Sequence, residues 1–266
     1  MKTNSQRPLA LVTGASSGIG YELARVFAEH GHDLVIAAED GGIVEAKQAF
    51  EALGATVTSV QVDLAKPEGV EELVGRVRAL GRPLACAALN AGVGVGGAFH
   101  ETELRRNLEI VDLNCRSVVH LSHHVVRDMV GRGEGRILIT SSIASTMPGP
   151  FEAVYAASKA FDQSFAHALR NELKDTGVTV TSLMPGPTET DFFRRAGLED
   201  TKVGAGEKDD AGLVARQGYE ALMAGKDDVV AGSLKNKVQA AAAKIIPEKL
   251  KAEIHRSKAE PGSADK

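Results

Sequence analysis

Short stretches at 9–12, 34–37, 57–62, 84–89, 136–140 and 178–184, with a candidate seventh at 228–231, are largely apolar along their length instead of at every second position. A strand that is apolar towards both sides needs cover on both sides, and helices supply it in sheets built from parallel crossovers. Amphipathic helical patterns separate the stretches. The order therefore predicts an α/β domain with a doubly wound parallel sheet of about seven strands and helices on both faces. Long helices are expected near 101–130 and 152–175, and a loop-rich insertion over 185–210. Structureless stretches of that length in compact domains are usually functional.

The 266 residues suit a single unit of this class. With 31 Lys+Arg against 35 Asp+Glu, no Trp and 4% aromatic residues, the chain lacks the basic, base-stacking surface of a nucleic-acid binder. Cys86 and Cys115 form no CxxC pair and read as buried thiols of a reducing compartment. Residues 1–8 show no signal-peptide architecture, and no apolar stretch approaches the roughly 20 residues of a membrane span. A cytoplasmic location is expected.

Between the first apolar run and a helical pattern starting near Tyr21 lies Thr13-Gly14-Ala15-Ser16-Ser17-Gly18-Ile19-Gly20. Glycines in such a turn let the backbone bend tightly and approach a pyrophosphate, whose charge meets free N–H groups at the helix start. The Gly-x-x-x-Gly-x-Gly spacing is not the commoner dinucleotide fingerprint, and alone it is equally a plain strand-to-helix turn. Farther along, Tyr155-Ala-Ala-Ser-Lys159 places a phenol and an ammonium four residues apart, on one helix face with Cβ atoms about 5–6 Å apart. Ser142 precedes them.

Together these residues resemble the short-chain dehydrogenase/reductase superfamily from about 9 to 231, which implies a Rossmann-type fold and an NAD(P)-dependent oxidoreductase. Gly14, Ser16, Ser17, Gly18, Ile19 and Gly20 look like its cofactor loop, Asp63 and Leu64 like its adenine-contacting segment, and Asn90-Ala91-Gly92 like its fourth-strand signature. Leu89 stands where the family often has a second Asn. Asn114, Ser142, Tyr155 and Lys159 match the catalytic tetrad, and Pro185, Gly186, Thr188 and Thr190 the segment that holds the nicotinamide carboxamide. Each residue has a bland reading: a helix kink for Asn114, a turn hydroxyl for Ser142, an interfacial ring for Tyr155, a solvated charge for Lys159. The ordered set on a strand–helix framework favours the enzyme.

The implied chemistry is proton transfer by Tyr155 between a hydroxyl and a carbonyl state, in step with hydride transfer. A phenol has a pKa of about 10; Lys159 and an oxidised nicotinamide are expected to lower it, at a differential stabilisation of roughly 3–4 kcal/mol. Ser142 stabilises alkoxide-like charge, Lys159 also binds ribose, and Asn114 holds a proton-relaying water as the resemblance implies. Glu39 ends the second strand, about twenty residues past the loop, where a carboxylate bonds ribose hydroxyls and repels a 2′-phosphate. NAD is favoured, with NADP the alternative; Ser17 and Glu39 supply no cation for a phosphate.

Pocket borders are expected at 93–97, 143–151, Met184 and the loop around Phe192 and Phe193, which suits apolar alcohols and ketones, with Arg194 and Arg195 available to an anion. His120, His123 and His124 suggest metal ligation by spacing, but with no carboxylate or thiol completing a motif no metal is assigned. Residues 1–232 are expected to form the dinucleotide-binding domain and 233–266 a basic extension. Between Lys235 and Glu260 there are seven Lys/Arg and three Glu, and the apolar spacing predicts two short helices broken at Pro247. Packing on this or a partner subunit is the stronger reading, and peripheral attachment to an anionic membrane the sharper one, which anionic-liposome binding at low salt decides. The resemblance also implies a homodimer or homotetramer. Two competing functions are a catalytically silent dinucleotide sensor or scaffold, distinguished by a turnover screen, and an epimerase or dehydratase, distinguished by net cofactor consumption.

Overall fold

A computed structural model describes residues 7–243 and 245–264; residues 1–6, and Lys244, Asp265 and Lys266 of the basic extension, lie outside the described residues. The elements run β1 (Leu9–Thr13), α1 (Gly18–Glu29), β2 (Asp33–Ala38), α2 (Ile43–Ala52), β3 (Val57–Gln61), α3 (Pro67–Ala79) and β4 (Leu84–Leu89). There follow α4 (Leu104–Ile110), a π-helical turn (Val111–Arg116), α5 (Ser117–Arg132), β5 (Gly135–Thr140), a 3-10 turn (Ile143–Thr146), α6 (Ala153–Glu172) and β6 (Val178–Pro185). Last come α7 (Phe192–Ala196), α8 (Lys202–Ala205), α9 (Ala211–Met223), β7 (Asp228–Ala231), α10 (Leu234–Ala243) and α11 (Glu248–Ala259).

All strand pairs are parallel and the order is β3-β2-β1-β4-β5-β6-β7. The crossover from β3 returns the chain to the far side of β1, so the order reverses between β1 and β4 and opens a crevice at their carboxyl ends. Alternation within β1 explains its unbroken apolarity. Ala10 and Val12 face Leu23, Phe27, Leu34 and Val214, among the packing of α1, α2 and α9. Leu9 and Leu11 face Leu73, Leu121, Met129 and Ile137, on the side of α3 and α5. Each fully buried Leu or Ile contributes about 1.5–3 kcal/mol on either face. Leu89, the departure from the family pattern, is part of this second cluster.

The strands start and end within one or two residues of the apolar stretches. The single helix expected over 101–130 instead starts at Leu104 and carries the π turn, and two short helices, α7 and α8, punctuate the insertion. Pro247 precedes α11 as its N-cap, separating it from α10. At the amino ends of the strands, Arg82 bonds Asp33 at 2.8 Å and donates to the Arg7 carbonyl at 2.5 Å, while the Thr56 N–H donates to Asp33 at 2.9 Å.

Candidate active site

The loop after β1 is a cradle. Gly14 and Gly18 have φ of +68° and +57°, conformations that side chains disfavour. A Cβ on Gly20 would collide with the Gly14 carbonyl. Ser17 precedes α1 without a side-chain cap, so the first N–H groups of the helix are left for a ligand. The rim is tied to β4: Thr13 Oγ1 accepts from the N–H groups of Asn90 (2.9 Å) and Ala91 (3.0 Å), and Asn90 Oδ1 accepts from Thr140 at 3.1 Å. This bare-backbone cradle at a helix start fits a dinucleotide pyrophosphate.

A cleft of about 470 Å³ runs from the cradle across the carboxyl ends of the strands. Gly14, Ser16, Ser17, Gly18, Ile19, Gly20, Glu39, Asp63, Leu64, Asn90, Ala91, Gly92, Ser142, Tyr155, Lys159, Pro185, Gly186, Thr188 and Thr190 all line it. Asn114 does not. It is fully buried in the π turn, where Oδ1 accepts from the Val93 N–H at 3.0 Å and Nδ2 donates to the Val93 carbonyl (3.0 Å) and Ser158 (2.9 Å). Its amide thus pins the strand-end loop to α6, in the kind of helix irregularity that recurs at functional sites.

At one end, Asp40 accepts from Ser16 Oγ at 2.8 Å and from the Gly42 N–H at 2.9 Å, beside Glu39 and Asp63. Burial pushes the Glu39 carboxyl up, and Asp63, Glu109 and Asp40 add like charge, against an opposing pull from Arg195. Arg195 also donates to Ser17 Oγ at 3.3 Å. Ser17 and Glu39 themselves supply no cation, and the positive charge at this end arrives from Arg195 of the insertion, far away in sequence.

At the other end, α6 carries Tyr155 and Lys159 on one face. Lys159 Nζ donates to the Thr140 carbonyl (2.8 Å) and to Asp162 Oδ2 (3.0 Å), with both side chains buried. Ser142 Oγ accepts from the Ala144 N–H at 3.1 Å, capping the 3-10 turn. The Tyr155 ring lies 5.0 Å from that of Phe192. The expected lowering of the phenol is not what the cleft alone produces. Burial and the Glu152 carboxylate push it up, Ser142 pulls it down, and Asp162 pushes it up again. The pairing with Asp162 offsets the Lys159 charge on which that expectation rested.

The insertion closes down on the cleft. Phe192 packs on Gly94, the Thr190 methyl group on Gly18, and the Gly96 N–H donates to the Ala196 carbonyl at 2.8 Å. Val93, Gly94, Val95, Ile143, Ala144, Met147, Phe192 and Phe193 line the space as expected, whereas Met184 is buried in β6 and does not. Residues of the extension are a larger surprise: Gln239, His255, Lys258 and Ala259 form part of the wall. His255 lies 3.2 Å from Glu152, both side chains mostly buried, and Arg256 stacks 5.1 Å over the ring of Phe151, whose φ is +67°. The Lys202 N–H donates to Ser263 and the Ala264 N–H to the Asp200 carbonyl, each at 3.0 Å, tying the extension to the insertion. Its outward Leu234, Val238, Ile245 and Leu250 are exposed.

Of the three histidines, His120 and His124 both reach Glu71 of α3, at 2.7 and 3.2 Å. A carboxylate thus does complete this group, contrary to the sequence argument. Arg78 Nη2 lies 3.3 Å from His124 Nδ1, the ring nitrogen opposite the one that faces Glu71. Burial pushes both Cys86 and Cys115 up to about 11, which keeps the thiols protonated. Among the described residues, no helix is long and apolar enough to cross a membrane.

The family model described as short chain dehydrogenase matches residues 8–200. A 1-deoxy-11-beta-hydroxypentalenate dehydrogenase of Streptomyces exfoliatus is 37% identical over 226 residues, covering 82% of this chain and 80% of that protein. An NADP-dependent 3-hydroxy acid dehydrogenase of Salmonella typhi is 32% identical over 201 residues, covering 74% and 79%. Among solved structures, a short-chain dehydrogenase of Sphingobium yanoikuyae in complex with NADPH superposes with a TM-score of 0.78 at 27% identity, over 84% of this chain and 87% of that one. Glycine cradle, crevice and matches agree, and the chain belongs to the short-chain dehydrogenase family of NAD(P)-dependent oxidoreductases.

Proposed function

We propose that Tyr155 is the general acid/base of a hydride transfer between a nicotinamide cofactor and a secondary alcohol or ketone. The observation that carries this reading is one cleft with the glycine cradle at one end and Tyr155, Ser142 and Lys159 at the other. The cofactor, when bound, supplies or accepts the hydride and in its oxidised form adds positive charge. Gly14 to Gly20 hold its pyrophosphate, Asp63 and Leu64 its adenine side, Asn90 to Gly92 the floor, and Pro185, Gly186, Thr188 and Thr190 its carboxamide. Ser142 Oγ orients the substrate oxygen towards the Tyr155 phenol, which takes or gives the proton. Lys159 fixes ribose, and Asn114 holds the architecture of the relay behind it. In Tyr155→Phe, turnover falls roughly 10²–10⁴-fold while cofactor binding persists; near-normal turnover removes Tyr155 from the chemistry.

NAD is the proposed cofactor, because Glu39 and Asp40 both line the ribose end and a 2′-phosphate would meet their charge. The Salmonella relative is NADP-dependent and the Sphingobium structure holds NADPH, so the choice is made by comparing kcat/KM for NADH and NADPH. An NADPH preference assigns Arg195, not Glu39, as the discriminating group. The exposed Leu234, Val238, Ile245 and Leu250 of the extension, together with its excess of Lys and Arg, support contact with an anionic membrane surface, and a cytoplasmic enzyme is the setting proposed.

A further inference from the structure

The substrate side of the cleft is walled by Val93, Val95, Ile143, Met147, Phe192 and Val203, and one cation enters this apolar wall from α11: Lys258. Its Nζ lies 3.3 Å from the neutral amide oxygen of Gln239, and among the described residues no carboxylate forms an ion pair with it. Lys258 is half-buried, and other cations withdrawn from solvent are held differently, the buried Lys159 by Asp162 and the half-buried Arg82 by Asp33. Glu152, which lines the same cleft, lies 3.2 Å from His255 Nε2, with no hydrogen bond to it among the described residues, and forms no ion pair with Lys258 there. Withdrawing an ammonium from water without a counter-charge is costly, and a ligand that brings the counter-charge removes the cost. Burial, with Lys235 adding like charge, lowers the Lys258 pKa, as such a half-dry site requires.

We infer that Lys258 is a substrate-recognition residue and that the substrate is an apolar hydroxy or keto acid, its carboxylate on Lys258 and its carbinol or carbonyl carbon at Tyr155. A single ammonium with a neutral amide neighbour matches a monoanion, whereas a phosphate dianion calls for a fork or several donors. The selectivity resides in the extension, not in the insertion arginines, since Arg195 is turned to Ser17. The inference rests on the hydride-transfer reading above.

The test compares hydroxydecanoic acids differing in hydroxyl position with their methyl esters, as substrates of the wild type, Lys258→Met and Lys258→Arg with NAD and NADP. For at least one position the wild-type kcat/KM ratio of acid to ester is expected to exceed about tenfold, to collapse towards unity in Lys258→Met and to return in Lys258→Arg. A ratio unchanged in Lys258→Met overturns the inference while leaving hydride transfer intact. Thermal melting with decanoate and with decanol gives a readout free of turnover. Stabilisation by decanoate alone, lost in Lys258→Met, upholds the acid site even if the wild type oxidises none of the alcohols, an outcome that counts against the hydride-transfer reading instead. No shift with decanoate overturns the inference.

Discussion

Tyr155, Ser142 and Lys159 are legible in the sequence because the spacing of a helix face and the order of motifs place them, but their electrostatics are not. Asp162, three residues after Lys159, was within reach of the same helical arithmetic and was missed because a carboxylate at that spacing ordinarily reads as a surface ion pair. Glu152 and His255 carry no such signal, since they meet only through the folding of distant segments. Asp162 Oδ1 has no hydrogen-bond partner among the described residues, and its charge pushes the Tyr155 phenol up. In Asp162→Asn, the rising limb of the pH–rate profile for alcohol oxidation should move to lower pH by about one unit, because a negative charge disfavouring phenolate is gone. The profile of kcat/KM checks this: a limb that stays in place removes Asp162 from the control of Tyr155. The same variant leaves Lys159 buried without its carboxylate, at a cost to stability on the order of 3 kcal/mol.

The strands were readable as elements because β1, β2 and β4 bury both faces and so lose the alternation of a half-exposed strand. The π turn was not, since its cause is the tie from Asn114 to Val93 and Ser158, a tertiary contact that periodicity does not record. The short helices of the insertion escaped for a similar reason: α7 and α8 hold their places through Phe193, Ala196 and Leu198, which pack with Phe192 and Val203. At the opposite end of the sheet, Asp33 links three segments. Burial opposes its ionisation, but the Thr56 N–H and Arg82 overcome this and hold the carboxyl below its usual 3.8. Its contribution to stability is therefore complete above about 3.8 and is lost as pH falls through the lower folded value. Asp33→Asn should cost on the order of 3 kcal/mol near neutrality. The gap from wild type should narrow below about pH 3.8, as followed by urea denaturation. A gap constant with pH assigns the loss to packing alone.

For the molecule as a whole, the doubly wound parallel sheet followed from the strand–helix rhythm, while the order of its strands and the place of the extension did not. Amphipathic spacing foretold α10 and α11 but not that α11 would reach the cleft. Exposed Leu104, Leu108 and Val111 fall on one face of α4 and the π turn, and Phe161 is exposed on α6. These unpartnered apolar side chains support the homodimer or tetramer expected from the long helices. Light scattering is expected to give at least twice the 27.9 kDa of one chain, and Leu108→Lys to shift the protein towards that single mass; a monomeric wild type excludes self-association. The position of α11 also has a consequence for biosynthesis. During translation the last residues proposed to hold the coenzyme, through Thr190, are made 68 residues ahead of Lys258, so the wall proposed to select a guest is among the last parts of the site to be synthesised.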